Sequence, residues 1–152
     1  MIAIREVRLH EIDRVYEIAC RCFTERYLPE LFYNIYSSWP KAFLVADMDG
    51  KIVGFIAGAK LSSIEGRILL LAVETPYRRK GIGSRLLENF LNVCIAEGIK
   101  QVRLEVREDN YEAIRFYMNR GFVITSRIPH YYTDGSNAYV MVKVLEQILE
   151  ET

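Results

Sequence analysis

The sequence predicts an α/β domain with a mixed sheet and helices on its faces. Three observations predict it. Apolar residues recur at two periods along the chain, two in some segments and 3.6 in others. Segments of the two kinds alternate with no internal repeat, low-complexity run or linker between them. The chain has 152 residues and is 51% apolar, enough for one core without metal or disulfide staples. One domain is therefore expected over residues 1–152.

The elements follow in order. Residues 2–7 read as a short first strand. Ile12, Val15, Tyr16, Ala19, Cys22 and Phe23 recur at threes and fours, which predicts an amphipathic helix over 10–23. Pro29 stands where a second helix can begin, and Leu31, Phe32, Ile35 and Tyr36 carry it toward Trp39-Pro40. Residues 42–47 read as a strand, Asp49-Gly50 as a hairpin turn and 51–61 as the answering strand. The nearly continuous apolar run 67–73 predicts a strand buried on both faces, and Pro76 interrupts it. Ile82, Leu86, Leu87, Phe90, Val93 and Cys94 share one face of a helix that starts near Gly81 and ends at Gly98. Residues 101–106 alternate as a strand. A helix is expected over 110–120, closed by Gly121, and two last strands over 122–128 and 139–144. The order is β, α, α, β, β, β, α, β, α, β, β.

Composition excludes several functions. Lys and Arg balance Asp and Glu at 20 each, so the net charge is zero, unlike the basic excess of a dedicated nucleic-acid binder. Cys20, Cys22 and Cys94 are an odd set without repeating spacing, which makes no disulfide framework. Cys20 and Cys22 would point about 200° apart on a helix, and only His10 and His130 could join them, so no metal site is expected. Buried or half-buried thiols in a reducing cytoplasm are the expectation. The start of the chain has no signal-peptide core, and no apolar run reaches membrane-spanning length.

One turn stands out. The segment 73–85 joins the apolar strand to a helix through Arg78-Arg79-Lys80-Gly81-Ile82-Gly83-Ser84. Two glycines let backbone turn tightly and approach a ligand. The free N–H groups of a helix start favour an anion. Within 74–85, Arg78, Arg79, Lys80 and Arg85 stand against Glu74, four minus one, a local charge of +3. This suits a pyrophosphate. A dinucleotide fingerprint would need a third glycine where Leu86 stands, and the G-x-x-x-x-G-K-[ST] phosphate loop is absent.

Arg78-x-x-Gly81-x-Gly83 after an apolar strand resembles the acetyl-CoA signature of the GNAT (Gcn5-related N-acetyltransferase) superfamily. Downstream, Asn110-x-x-Ala113-x-x-x-Tyr117-x-x-x-Gly121-Phe122 is similar to that superfamily's second signature. Within it, the likeness is closest to N-terminal protein acetyltransferases. Leu104-Glu105-Val106-Arg107 resembles the bacterial ribosomal-protein alanine acetyltransferase; Trp39-Pro40, Gly50-x-x-x-Gly54 and the segment 131–141 resemble the Ard1-type catalytic subunit. The likeness covers about residues 2 to 145. It implies a mostly antiparallel central sheet of about seven strands with about four helices. It also implies acetyl transfer from acetyl-CoA to an amine, without a metal.

Direct attack on the thioester needs a base for the incoming ammonium, donors for the oxyanion and an acid for the thiolate. The resemblance makes Glu105 the candidate base, directly or through water, with Glu25 the other carboxylate in view. Tyr117, two turns from Asn110 on the same helical face, is the candidate acid. Asn110 is expected to hold the cofactor's pantetheine arm or phosphates. The resemblance also places oxyanion donors at the backbone of Leu71, Ala72 and Val73. There the strand would carry a bulge and part from the strand 101–106.

On the acceptor side, Phe23, Glu25 and Tyr27 match the stretch that lines the peptide slot in these enzymes, with Thr24 where proline is usual. Tyr131 and Tyr132 are the expected opposite wall. Ser136-Asn137 stand where the Ard1-like pattern has two acidic residues. A protein N-terminus is the expected acceptor, with an auxiliary subunit or the ribosome as partner and a monomeric or weakly dimeric enzyme. A lysine, polyamine, amino-sugar or antibiotic amine is the alternative acceptor. A non-enzymatic RNA-binding module, with the basic run on phosphates and the tyrosines stacking on bases, is the remote alternative.

Overall fold

A computed structural model describes residues 1–145; residues 146–152, the end of the expected single domain, lie outside the described residues. The described chain holds β1 (Ile2–Glu6), α1 (Ile12–Cys22), α2 (Pro29–Ser38), β2 (Leu44–Met48), β3 (Lys51–Lys60) and β4 (Glu65–Val73). Then come α3 (Ile82–Ala96), β5 (Gln101–Arg107), α4 (Tyr111–Met118), β6 (Val123–Ile128) and β7 (Ala138–Val144). The predicted element order is thus the observed one. Several ends are shorter because single 3-10 turns at Leu9–Glu11 and Pro40–Ala42 take up residues expected in helix or strand.

Among the described residues the strands form one seven-stranded sheet in the order β1-β2-β3-β4-β5-β7-β6. Every pairing is antiparallel except β4 with β5. Two cores sandwich it. Ile12, Val15, Ile18, Phe32 and Ile35 of α1 and α2 pack with Val45, Phe55 and Leu70 on one face. Leu86, Leu87, Phe90 and Cys94 of α3 pack with Ile56, Leu104 and Phe122 on the other. Gly58 permits that second packing, since a Cβ there would lie 2.6 Å from the Phe90 ring. The Asp49-Gly50 hairpin forms as predicted, with both residues at positive φ and the Gly50 N–H donating to Asp47 Oδ1 at 2.8 Å.

Two features of β4 position the site. Ala57 pairs with Leu70 but Gly58 with Ile68, so Leu69 is the extra residue of a bulge. The bulge reverses the alternation: Ile68 faces the α3 core, Leu69 and Leu70 face the α1–α2 core, and Leu71 again faces α3. The parallel pairing of β4 with β5 covers only Glu65↔Gln101, Gly66↔Val102 and Arg67↔Arg103. Past Arg67 the two strands are not ladder partners.

Two expectations are corrected, for β4 and for the thiols. β4 is not closed on both faces: Leu69, Leu71 and Val73 are only half-buried because they line the opening beside β5. β6 is an edge strand, exposed over nearly its whole length. Of the thiols, Cys94 is buried, which pushes its pKa up to about 12, and Cys22 is half-buried, but Cys20 faces solvent. Among the described residues no helix is long and apolar enough to cross a membrane, and no cluster of His, Cys, Asp and Glu could hold a metal ion.

Candidate active site

The parting of β4 and β5 is entered from two sides. One cleft runs between the start of α3 and the outer face of α4, past Arg78, Gly81, Gly83, Ser84 and Phe116. The other cavity lies under the α1–α2 connection and the β6–β7 loop, lined by Glu25, Tyr27, Arg67, Glu105, Tyr131 and Tyr132. Phe23, Leu71, Asn110, Ala113 and Tyr117 line both, so the two meet at the opening.

The first cleft is built for an anion. Gly81 caps α3 in the left-handed region at φ 79, where a glycine costs least, and the space beside its Cα is open. The first helical bond runs from Arg85 N–H to Gly81 O at 3.1 Å. The N–H groups of Ile82, Gly83 and Ser84 therefore lack helical acceptors. Arg78 and Arg79 line the cleft; the Arg78 Nε also donates to Val73 O at 2.8 Å. Lys80 does not line it: its Nζ lies 6.0 Å from the Tyr77 ring centroid.

The backbone of β4 supplies donors at the opening. Glu74 N–H bonds to Val53 O at 2.9 Å. Strand alternation then turns the Ala72 N–H toward β3 as well, and the N–H groups of Leu71 and Val73 the other way, into the opening. Two of the three expected oxyanion donors are thus placed there, and Ala72 is not. The bulge lies two residues before Leu71 and is what swings its side chain and backbone into this register.

Tyr117 sits at the junction, 8% exposed, against Phe116 and Phe122. Burial pushes its pKa well above the usual tyrosine value, so the hydroxyl stays protonated at neutral pH. Asn110 caps α4, its Oδ1 accepting from Ala113 N–H at 3.1 Å. Its carboxamide is left facing the meeting point of the clefts.

In the second cavity both lining carboxylates, Glu25 and Glu105, are paired. Glu105, its side chain 6% exposed, accepts from Arg67 Nε at 2.9 Å on one oxygen and from Arg103 Nε at 3.0 Å on the other. Glu25 accepts from Arg107 at 2.5 Å, and Arg107 also reaches Asp134 at 3.0 Å. The Arg107 guanidinium lies 4.2 Å from the Tyr132 ring centroid. Tyr132 meets Tyr131 edge-on at 5.1 Å, and the Tyr131 hydroxyl accepts from Arg67 Nη2 at 2.9 Å. Desolvation raises the Tyr27 pKa and pushes that of Tyr132 up to about 12, so both present neutral hydroxyls.

Sequence reasoning therefore found both carboxylates but not their partners. Arg103 and Arg107 were within reach of it, since strand alternation puts them on the face of Glu105. Arg67 was not, because its reach depends on how far β4 and β5 stay paired. Phe116 and Arg120, which stack at 3.9 Å beside Ser84 in the cofactor cleft, carried no sequence signal.

This geometry matches known proteins. The model of the acetyltransferase (GNAT) family covers residues 12–122. The N-alpha-acetyltransferase of Sulfolobus acidocaldarius is 33% identical, across 93% of this chain and 92% of its own. The crystal structure of Ard1 from Thermoplasma volcanium superposes with a TM-score of 0.93 at 46% identity, over 96% of this chain and 99% of that one. Arabidopsis thaliana Naa50 in complex with the bisubstrate analogue CoA-Ac-MVNAL superposes with a TM-score of 0.86 at 29% identity, over 95% and 99%. The glycine-rich turn, the parted strands and these likenesses agree: the chain belongs to the acetyltransferase (GNAT) family.

Proposed function

We propose that this enzyme transfers the acetyl group of acetyl-CoA to the N-terminal α-amine of a peptide or protein. The observation that carries the reading is the junction of two clefts at Leu71, Asn110 and Tyr117. One cleft suits a pyrophosphate and a long thin arm; the other has tyrosine walls that suit an extended backbone. The relatives named above for α-amine acetylation support the choice of acceptor.

In this reading the pyrophosphate takes the N–H groups of Ile82, Gly83 and Ser84 with Arg78 and Arg79 beside it, and the thioester lies by Leu71. The α-amine enters between Phe23, Tyr27 and Tyr131. An α-amine is mostly protonated near neutral pH, so a proton must leave before attack. Glu105, reached directly or through a water, takes it; Glu25 holds the mouth of the slot through Arg107. The nitrogen would attack the thioester carbon while the N–H groups of Leu71 and Val73 donate to the oxyanion. The C–S bond would then break as Tyr117 gives its proton to the thiolate, and the surplus proton left on the nitrogen would pass back to the Tyr117 oxygen, restoring the phenol. The enzyme works in the cytoplasm, as a monomer or weak dimer, with an auxiliary subunit or the ribosome presenting nascent chains.

Incubation with acetyl-CoA and a library of peptides with free N-termini, read by mass spectrometry, tests this. The expected product is a peptide acetylated at its α-amine. Turnover of lysine side chains or of a small amine, with every α-amine untouched, would sink it.

A further inference from the structure

Glu105 and the tyrosine wall are both tied to one side chain, Arg67. We infer that Arg67 is a positioning residue for the acceptor. It fixes the Glu105 carboxylate and the Tyr131 hydroxyl relative to one another, and it leaves the Tyr131 O–H proton to donate to the acceptor's first backbone carbonyl. This rests on the acetyltransferase reading above.

The place of Arg67 in the sheet is the first ground. Arg67↔Arg103 is the last register pair before β4 and β5 part. Glu105, two residues further along β5, has no β4 ladder partner, while the N–H groups of Leu71 and Val73 lie on the other arm of the opening. The Arg67 Nε bond to Glu105 Oε2, at 2.9 Å, is the side-chain link that spans from β4 to this carboxylate. Arg103 also holds Glu105, but from the same strand two residues away, so it cannot set Glu105 against β4.

The fork of the guanidinium is the second ground. One N–H goes to Glu105 and another, on Nη2, to the Tyr131 hydroxyl at 2.9 Å. The planar guanidinium meets the two acceptors from separate nitrogens in fixed directions; a lysine ammonium has three donors, but on one nitrogen at the end of a flexible stem, and would not hold the two acceptors in the same relation. A hydroxyl that accepts from a cation is polarised into a stronger donor. The free O–H proton of Tyr131, on a ring 40% exposed, then faces the cavity where a peptide carbonyl would lie.

The third ground is continuity. From Glu105 the contacts run through Arg67, Tyr131, Tyr132 and Arg107 to Glu25. Arg67 is the link that joins the carboxylate nearest Leu104 and Val106 to the wall of the slot. Its loss would untie the Tyr131 hydroxyl and leave Glu105 held from its own strand alone, by Arg103, while the glycine-rich turn, in the other cleft, has no contact with it.

The test uses the full chain with whichever amine the wild type acetylates. Arg67→Ala is expected to lower kcat/KM for the acceptor by about ten- to a hundredfold and to leave the KM for acetyl-CoA within about twofold. Ethylguanidinium in the buffer should restore part of the loss, and methylammonium should not. Arg67→Lys, which keeps the charge but loses the fork, should stay impaired. Tyr131→Phe should add nothing in the Arg67→Ala background. Full activity of Arg67→Lys, an equal loss of acetyl-CoA affinity, no recovery with ethylguanidinium, or losses that multiply between the two sites would each overturn the inference. If Arg67→Ala does not fold, Arg67→Lys and its combination with Tyr131→Phe carry the same comparison. A wild type that acetylates no amine overturns the function instead, and is seen before any variant is made.

Discussion

In the proposed reaction Tyr117 would serve the thioester and Gly81 the phosphates. Tyr117 is held neutral by desolvation, so up to about pH 10 its proton is available and the rate should show no alkaline fall from it. Tyr117→Phe removes the proton and little volume. It should lower kcat by about a hundredfold with acetyl-CoA affinity within about twofold. Steady-state kinetics beside a direct binding titration check this; equal losses in both would mean that Tyr117 only packs against Phe122. Gly81→Asp meets no neighbour, because the space beside Gly81 is open, so its effect must come through φ and charge. A carboxylate beside the N–H groups of Ile82 to Ser84 would compete with the pyrophosphate. Acetyl-CoA should bind about tenfold or more weakly by titration, and the left-handed backbone at Gly81 should cost roughly 1 kcal/mol, about 2–4 °C in melting temperature. Unchanged affinity would remove the pyrophosphate from this turn.

At the scale of elements, the ends of helices and strands hold charges that respond to pH. Glu11 precedes α1, accepts from Arg8 N–H at 2.9 Å and pairs with Arg5 of β1 at 2.7 Å. The Arg5 hydrogen bonds, against some desolvation, hold its pKa down at about 2. A carboxylate whose folded value is depressed adds stability above its unfolded value, and that stability is lost as the pH falls through the window. Urea midpoints should therefore drop between about pH 4.5 and pH 2, and Arg5→Met should flatten this part of the curve. An unaltered curve in Arg5→Met would take Glu11 out of the acid response. The long helices were legible in the sequence because each has one buried face: Ile12, Val15 and Ala19 for α1, Leu86, Phe90 and Cys94 for α3. The bulge in β4 was expected from the family resemblance alone; the residues do not place it at Leu69, since the run Leu69-Leu70-Leu71 is equally apolar in any register. One partner of Glu105 was hidden for a related reason. This is Arg67 on β4, whose meeting with Glu105 depends on where β4 and β5 stop pairing; Arg103 and Arg107 share the face of Glu105 by strand alternation.

For the whole molecule, the same three-pair junction of β4 with β5 makes the sheet two halves that the cofactor would tie together. The β1–β4 half carries α1 and α2, and the β5-β7-β6 half carries the wall of Tyr131 and Tyr132; Leu104 and Met141 of that half join the core into which α3 packs. Acetyl-CoA seated in the opening should touch Leu71 and Val73 on one half and Asn110 and Tyr117 on the other. At a hundred times its Kd, a ligand that binds only the folded state stabilises it by about 2.7 kcal/mol. In a domain of about 150 residues this is roughly 5–10 °C in the melting temperature. Packing over the whole surface would give the same shift, so amide hydrogen exchange must locate it. Without cofactor, the Leu71 and Val73 amides face the opening and should exchange quickly, while the Ala72 amide, turned to β3, should exchange slowly. With acetyl-CoA the first two should become protected and Ala72 should hardly change. A thermal shift with no new protection at Leu71 and Val73 would place the thioester elsewhere, and the oxyanion donors would have to be sought on β5 or α4.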